Sequence, residues 1–263
     1  MKSNVSILRT TWIKSITILA LCWLWVPFVH SKPIKICLDQ ANWIPFIYTE
    51  NDQLKGIHIT IIKSSLDSLG MKYSFHKVPW KRCLKGLEKG TYDAVATASY
   101  NQERSQYLWY PSDASNSHQS HWRVSQVEYI ITTTSDSDFI YNNDPLTIPQ
   151  PIRVPRGYSI ANDLRALGVD VDDSSINDIQ NIKRLLREET GSVITLPSLI
   201  FWLNKQPMYK DKLKADPTLL KSKSYFFAIS KAGALNKEQA EIIWQMIVKQ
   251  RNNEMSTTHN AQQ

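Results

Sequence analysis

The chain has 263 residues, enough for one large domain or two small ones, and its 42% hydrophobic content is ordinary for a packed globular protein. Lys and Arg outnumber Asp and Glu by 31 to 24, a formal charge of +7. There is nevertheless no Lys/Arg tract, no zinc-finger spacing and no basic stripe interleaved with aromatics, which argues against a nucleic-acid binder, and the absence of GxSxG, HExxH and GxxxxGK leaves hydrolase, metalloprotease and nucleotide-using classes without their chemistry.

Lys2, Arg9 and Lys14 precede the apolar run 16–29, with no acidic residue before Asp39. This order predicts a secretory signal peptide over residues 1–31, cleaved after Ser31, the alternative being an uncleaved anchor. Its removal lowers the formal charge from +7 to +4. Cys22 is a poor lipid-attachment site because Leu21 precedes it where a small residue is required. Export leaves Cys37 and Cys83, and an even count in an oxidising compartment favours a disulfide over two buried thiols.

Along the mature chain, Ile34–Leu38 reads as a strand, Trp43–Tyr48 as an aromatic loop and short strand, and Asn51-Asp52 as a turn. Gly56 opens a helix with the apolar stripe Ile57, Ile61, Ile62, Leu66 and Leu69, ended by Gly70 before a strand over 72–78. His58 and His76 read as ordinary surface or strand residues. A second amphipathic helix follows, with Trp80, Leu84 and Leu87 on one face and Gly90 as its stop. Ala94–Ala98 is short, small and partly β-branched, suiting a strand buried on both faces of a mostly parallel sheet. Ser99, Tyr100 and Asn101 follow at its carboxyl end, where open α/β sheets bind ligands, and Arg104 sits one helical turn further on.

The pattern then repeats. Residues 151–155 read as strand, 159–167 as helix, 178–188 as helix, 192–195 as strand and 197–203 as helix. Between the two α/β units, 122–134 reads as an extended connector and 222–230 as its return, before a last helix over 237–250. Two crossings predict a hinged two-lobe α/β protein. Tyr107, Trp109 and Tyr110 read as strand and core contacts, and His118 and His121 have no third residue at metal-ligand spacing, so no metal site is assigned.

The ordered series of an export signal, Trp43-Ile44-Pro45-Phe46, the Gly56 helix, PWKRCL, GTYDAVATAS, ERSQYLWYP and PRGYS resembles family 3 extracellular solute-binding proteins, over about residues 33–250. The resemblance implies the two-lobe type II periplasmic binding protein fold, each lobe a mixed, mostly parallel sheet flanked by helices and joined by two crossover strands. It implies lobe 1 from 32–125 and 226–263 with the C-terminal helix, and lobe 2 from 126–225. It also implies a periplasmic monomer that captures a small polar solute, an amino acid or a related carboxylate, by hinge closure for an ABC importer, with no cofactor. Arg104 matches the arginine that clamps a ligand carboxylate, a task suited to a planar donor fork. Ser99 and Tyr100 match the segment sharing that carboxylate, Trp43 and Phe46 the aromatic wall of lobe 1, and Gly157, Tyr158 and Ser159 the lobe 2 turn that closes over the solute. Trp80 is either a ligand-stacking residue or a cap on the lobe 1 core.

Two departures from the family pattern leave the solute class open. Asn101 and Gln102 stand where threonine is common, and the strand before Pro197 ends without an acidic residue to meet a ligand ammonium. Arg82, Arg104 and Arg156 would instead suit an organic anion. The other functional classes are a ligand-sensing module for a membrane signalling partner and a cleft enzyme such as a small-carboxylate dehydratase. The latter requires a paired acid and base that the sequence does not offer.

Overall fold

The computed structural model describes residues 32–116 and 118–260. The expected signal peptide, residues 1–31, lies outside the described residues. In chain order the elements are β1 (Ile34–Asp39), β2 (Tyr48–Glu50), β3 (Gln53–Lys55), α1 (Ile57–Ser68), β4 (Tyr73–Val78), α2 (Trp80–Glu88), β5 (Ala94–Ser99), α3 (Gln102–Ser105), β6 (Leu108–Trp109) and β7 (Ser125–Thr134). There follow a 3₁₀ turn (Pro145–Thr147), β8 (Ile152–Arg153), α4 (Ser159–Ala166), β9 (Val171–Asp172), α5 (Asp178–Glu188), β10 (Ser192–Thr195), α6 (Pro197–Leu203), β11 (Leu213–Ala215), β12 (Lys221–Ser230) and α7 (Lys237–Asn260).

One hydrogen-bonded sheet runs through the described residues in the order β4-β1-β5-β12-β7-β10-β8-β9, with β6 on β12 and β11 on β7. The β4-β1-β5 and β10-β8-β9 ladders are parallel, as βαβ connections require, while β12 and β7 run antiparallel to their neighbours. Each half of the sheet carries its own core. Lobe 1 buries Ile36, Leu38, Ile62, Ala94 and Phe227 against Trp244 and Ile247 of α7, and lobe 2 buries Ile131, Ile152, Val193 and Ile194 against Leu164, Ile182 and Leu185 of α4 and α5. Both lobes belong to one compact unit.

The lobes are joined by β7 and β12. Ser125 to Tyr129 of β7 pair with Tyr225 to Lys221 of β12. Beyond that shared ribbon β7 enters the lobe 2 sheet beside β10, and β12 enters the lobe 1 sheet beside β5. The disulfide Cys37–Cys83 ties β1 to α2, with Cα atoms 5.6 Å apart, and is packed among Leu87, Val95 and Ala98.

Glycine is required ahead of α1. Gly56 has φ 116°, and a Cβ there would stand 2.1 Å from the Phe46 carbonyl oxygen, so the aromatic loop can close on the helix only over a bare backbone. Two expectations are corrected. His58 is fully buried while Ile57, assigned to the apolar stripe, is 40% exposed. Rotating the stripe by one residue lets His58 meet hydroxyls from β5 and β7, described below. The strand expected over 151–155 shrinks to two residues because Pro151 and Pro155 have no N–H to give a ladder.

Candidate ligand cleft

The strand ends of β1 and β5 from lobe 1 face the turn that opens α4 from lobe 2, and the space between them is lined by Asp39, Trp43, Trp80, Thr97, Ser99, Arg104, Tyr158, Ser159 and Tyr225 together with Leu38, Ala41 and Ile47. Its position outside the carboxyl ends of parallel strands follows from chain topology, since strand-to-helix loops gather there.

α3 sets the arginine. The Asn101 side chain caps it by accepting from the Arg104 backbone N–H at 2.7 Å, which turns the Arg104 side chain back toward β5. Arg104 is 4% exposed. Its Nη1 donates to the Ser99 carbonyl at 3.1 Å and its Nη2 crosses the cleft to the Gly157 carbonyl at 3.0 Å. The indole of Trp80 lies under the guanidinium, 5.2 Å from ring centroid to Cζ, and donates from Nε1 to the same Gly157 oxygen at 3.0 Å. Two carbonyls use two of five donors and the Tyr110 hydroxyl meets the same guanidinium, so the fork still keeps N–H groups for an anionic ligand. Among the described residues no carboxylate is ion-paired with Arg104.

Other bonds also cross between the lobes. Ser99 Oγ and Ser159 Oγ are 2.6 Å apart, the Tyr158 hydroxyl donates to Asp39 Oδ2 at 3.3 Å, and Ser198 Oγ donates to the Ile44 carbonyl at 3.4 Å. With the lobes so joined, a cavity of about 40 Å³ remains, room for a few waters.

Burial raises the Asp39 carboxyl above its ordinary value, against the opposing hydrogen bonds from the Ala41 backbone and Tyr158. Behind it Asp178, the first residue of α5, is pushed up to about 6 by burial, with Asp39 adding to the rise. Lys223 of β12 is pushed down to about 8 because burial outweighs the pull of Asp163. His58 lies beneath the aromatic wall, its Nδ1 3.0 Å from Thr97 Oγ1 and its Nε2 2.5 Å from Ser125 Oγ, with Phe46 stacked on it at 4.6 Å. Burial pushes it down to about 3, so it is neutral at any physiological pH.

Of the residues selected from sequence, Arg104, Ser99, Trp43, Trp80, Tyr158 and Ser159 line this cleft, and Gly157 meets it through its carbonyl. Phe46 stands one layer back, between Trp43 and His58. Tyr100, the first residue past the end of β5, lies outside. Ser99 points into the cleft and Tyr100 packs edge-on against Tyr110. The positive cleft from three arginines is corrected to one, since Arg82 and Arg156 are exposed and Arg156 donates to the Ser174 carbonyl. Sequence reasoning missed Asp39, Thr97 and Tyr225. Asp39 was legible in principle, as an acid at the carboxyl end of the first strand, whereas the search for an acid was directed to the end of β10.

The sequence matches the model of bacterial extracellular solute-binding proteins, family 3, over residues 34–257. No match was found among curated proteins. Among solved structures, an ancestral arginine-binding protein bound to glutamine superposes with a TM-score of 0.67 at 17% identity, covering 86% of this chain and 95% of that one. The arginine-, lysine-, histidine-binding protein ArtJ from Geobacillus stearothermophilus gives 0.63 at 16% identity, with 86% and 90% covered. A histidine kinase sensor domain with similarity to periplasmic binding proteins gives 0.70 at 12% identity, with 89% and 96% covered. These likenesses are in fold, and they match the two-lobe α/β architecture described above. The family model spans nearly all of the described chain, and the protein belongs to the bacterial extracellular solute-binding proteins of family 3.

Proposed function

We propose that this protein captures a small amino acid or a closely related carboxylate in the periplasm, by closing its lobes around it, and presents it to an ABC importer. The observation that carries this reading is the pairing in one buried cleft of Arg104, with free donors, and Asp39, with the aromatic rings of Trp43 and Trp80 beside them. A zwitterion suits such a cleft. Its carboxylate would take the remaining guanidinium donors and the Ser99 and Ser159 hydroxyls, and its ammonium would face Asp39. Asp39 thus answers the absence of an acid at the end of β10. The closed cavity holds little more than a few waters, so a solute larger than that must part the bonds between Gly157, Arg104 and Trp80. The mechanism is a shift of population toward whichever closed form the solute contacts best.

The test is thermal unfolding of the mature protein against a panel of amino acids, organic acids, polyamines and sugars. A solute at 100 times its dissociation constant adds about 2.7 kcal/mol. An amino acid or carboxylate should raise Tm, Arg104→Ala should abolish that shift while unfolding stays cooperative, and Asp39→Asn should weaken amino acids more than simple carboxylates. No shift with any compound would refute the reading. It would favour the second one, a sensing module for a membrane partner, which is supported by the likeness to a histidine kinase sensor domain.

A further inference from the structure

Lys223 is a largely buried cation on the hinge ribbon. Its side chain is 9% exposed. The ammonium donates to Ser159 Oγ at 2.8 Å and to Asp163 Oδ2 at 2.5 Å, both on α4. Ser159 Oγ is in turn 2.6 Å from Ser99 Oγ, and both serines line the cleft. A hydroxyl has one hydrogen, and an ammonium only donates. Ser159 must therefore accept from Lys223, which leaves its single hydrogen for Ser99 or for a solute. A charge-assisted bond into a hydroxyl also polarises its O–H and strengthens its onward donation.

We propose that Lys223 is a positioning residue that sets the hydrogen-bond polarity of the cleft wall, occupying an acceptor position of Ser159 so that the Ser159–Ser99 pair offers a solute its spare hydrogen, and the wall selects solute groups that accept. This deepens the solute-binding reading and rests on it. Without the ammonium, the Ser159 lone pair that it occupies would be left open, and the wall would gain an acceptor beside its one spare hydrogen. The groups facing Lys223 are Asp163 on α4, which holds it, and Lys221 on its own strand and Arg104 on α3, which oppose its charge, and His118 lies along the adjoining groove.

Acetate, an acceptor-only probe, and methylammonium, a donor-only probe, separate the two polarities when titrated by NMR at pH 7. Lys223→Met should weaken acetate at least tenfold and leave methylammonium within twofold, and Lys223→Arg should restore most of the acetate affinity. In a Ser159→Ala background Lys223→Met should have no further effect, which a purely structural lysine would not obey. Wild-type acetate affinity should fall between pH 7 and pH 9, where the lysine titrates, while that of Lys223→Met stays flat over this range. Acetate binding that is equal in wild type and Lys223→Met, or additive effects of Lys223→Met and Ser159→Ala, would overturn this proposal alone. Wild-type protein that binds neither acetate nor any amino acid would overturn the solute-binding reading and this proposal with it. Should Lys223→Met fail to fold, Lys223→Arg and the wild-type pH profile carry the same decision.

Discussion

Acidification from pH 7 to pH 5 sets two buried groups against each other. His58 is held down near 3, so the unfolded chain binds a proton around 6.5 that the folded chain refuses. The unfolded state gains protons, and stability falls as the pH drops. Proton linkage puts that loss at about 2 kcal/mol over these two pH units. Asp178, held up near 6, acts in the opposite sense. The folded chain takes its proton before the unfolded chain does, and stability rises by about 1 kcal/mol over the same interval. The wild type should therefore lose no more than about 1 kcal/mol. His58→Gln keeps a side chain able to bond Thr97 and Ser125 but removes the titration, so its stability should rise by about 1 kcal/mol on acidification, while Asp178→Asn should lose about 2 kcal/mol. Asp39 is raised too; its contribution cancels between the wild type and His58→Gln, and Asp178→Asn additionally removes the coupling between the two carboxyls. The assay is urea unfolding followed by tryptophan fluorescence at pH 5, 6 and 7, with the slope m checked for constancy. Three parallel pH dependences would refute the assignment of either group to the proton balance.

Two further predictions concern stability. Gly191 has φ 82°, and a Cβ there would lie 2.4 Å from the Pro151 carbonyl oxygen, so Gly191→Ala should cost more than about 2 kcal/mol at the β8–β10 junction. A change in urea midpoint equivalent to less than about 0.5 kcal/mol would show that this backbone can give way. Reducing the Cys37–Cys83 bridge, which closes a separation of 46 residues, should cost about 4 kcal/mol in the chain-entropy account. Equal midpoints with and without dithiothreitol would mean that the bridge contributes nothing to the equilibrium.

What the sequence disclosed follows from the range over which each signal acts. The run from Trp80 to Arg104 was legible because its signals are local: a periodic apolar face, a glycine stop, a buried strand and a turn of helix. Both crossing strands could be placed as extended segments, but their mutual pairing could not. Register between β7 and β12 joins residues nearly a hundred positions apart, and nothing within either segment names the other. Lys223 and Tyr225 owe their places to that register, so they read only as parts of a strand. His58 was misassigned because a helix stripe with an isoleucine on either side can be drawn through 57 or 58 equally well, and only the hydroxyls of Thr97 and Ser125 decide between them. The strands β9 and β11, two and three residues long, are too short to show any period.

The way β12 enters the lobe 1 sheet bears on the order in which the molecule can be made. Its residues Tyr225 to Ile229 lie against β5, and α7, which follows it, packs its apolar side on α1. Lobe 1 therefore begins at the first described strand and is finished by the last one. A nascent chain that has emerged only as far as lobe 2 leaves β5 as an unprotected edge of apolar backbone, and no ordering of lobe 1 can be completed until β12 arrives. Lobe 2, continuous between the two crossings, takes from β12 only the ribbon pairing with β7 and the Tyr225 ring. A C-terminal truncation that removes β12 should thus spare the second half of the molecule and leave the first half sticky, the reverse of what distance from the cut would suggest.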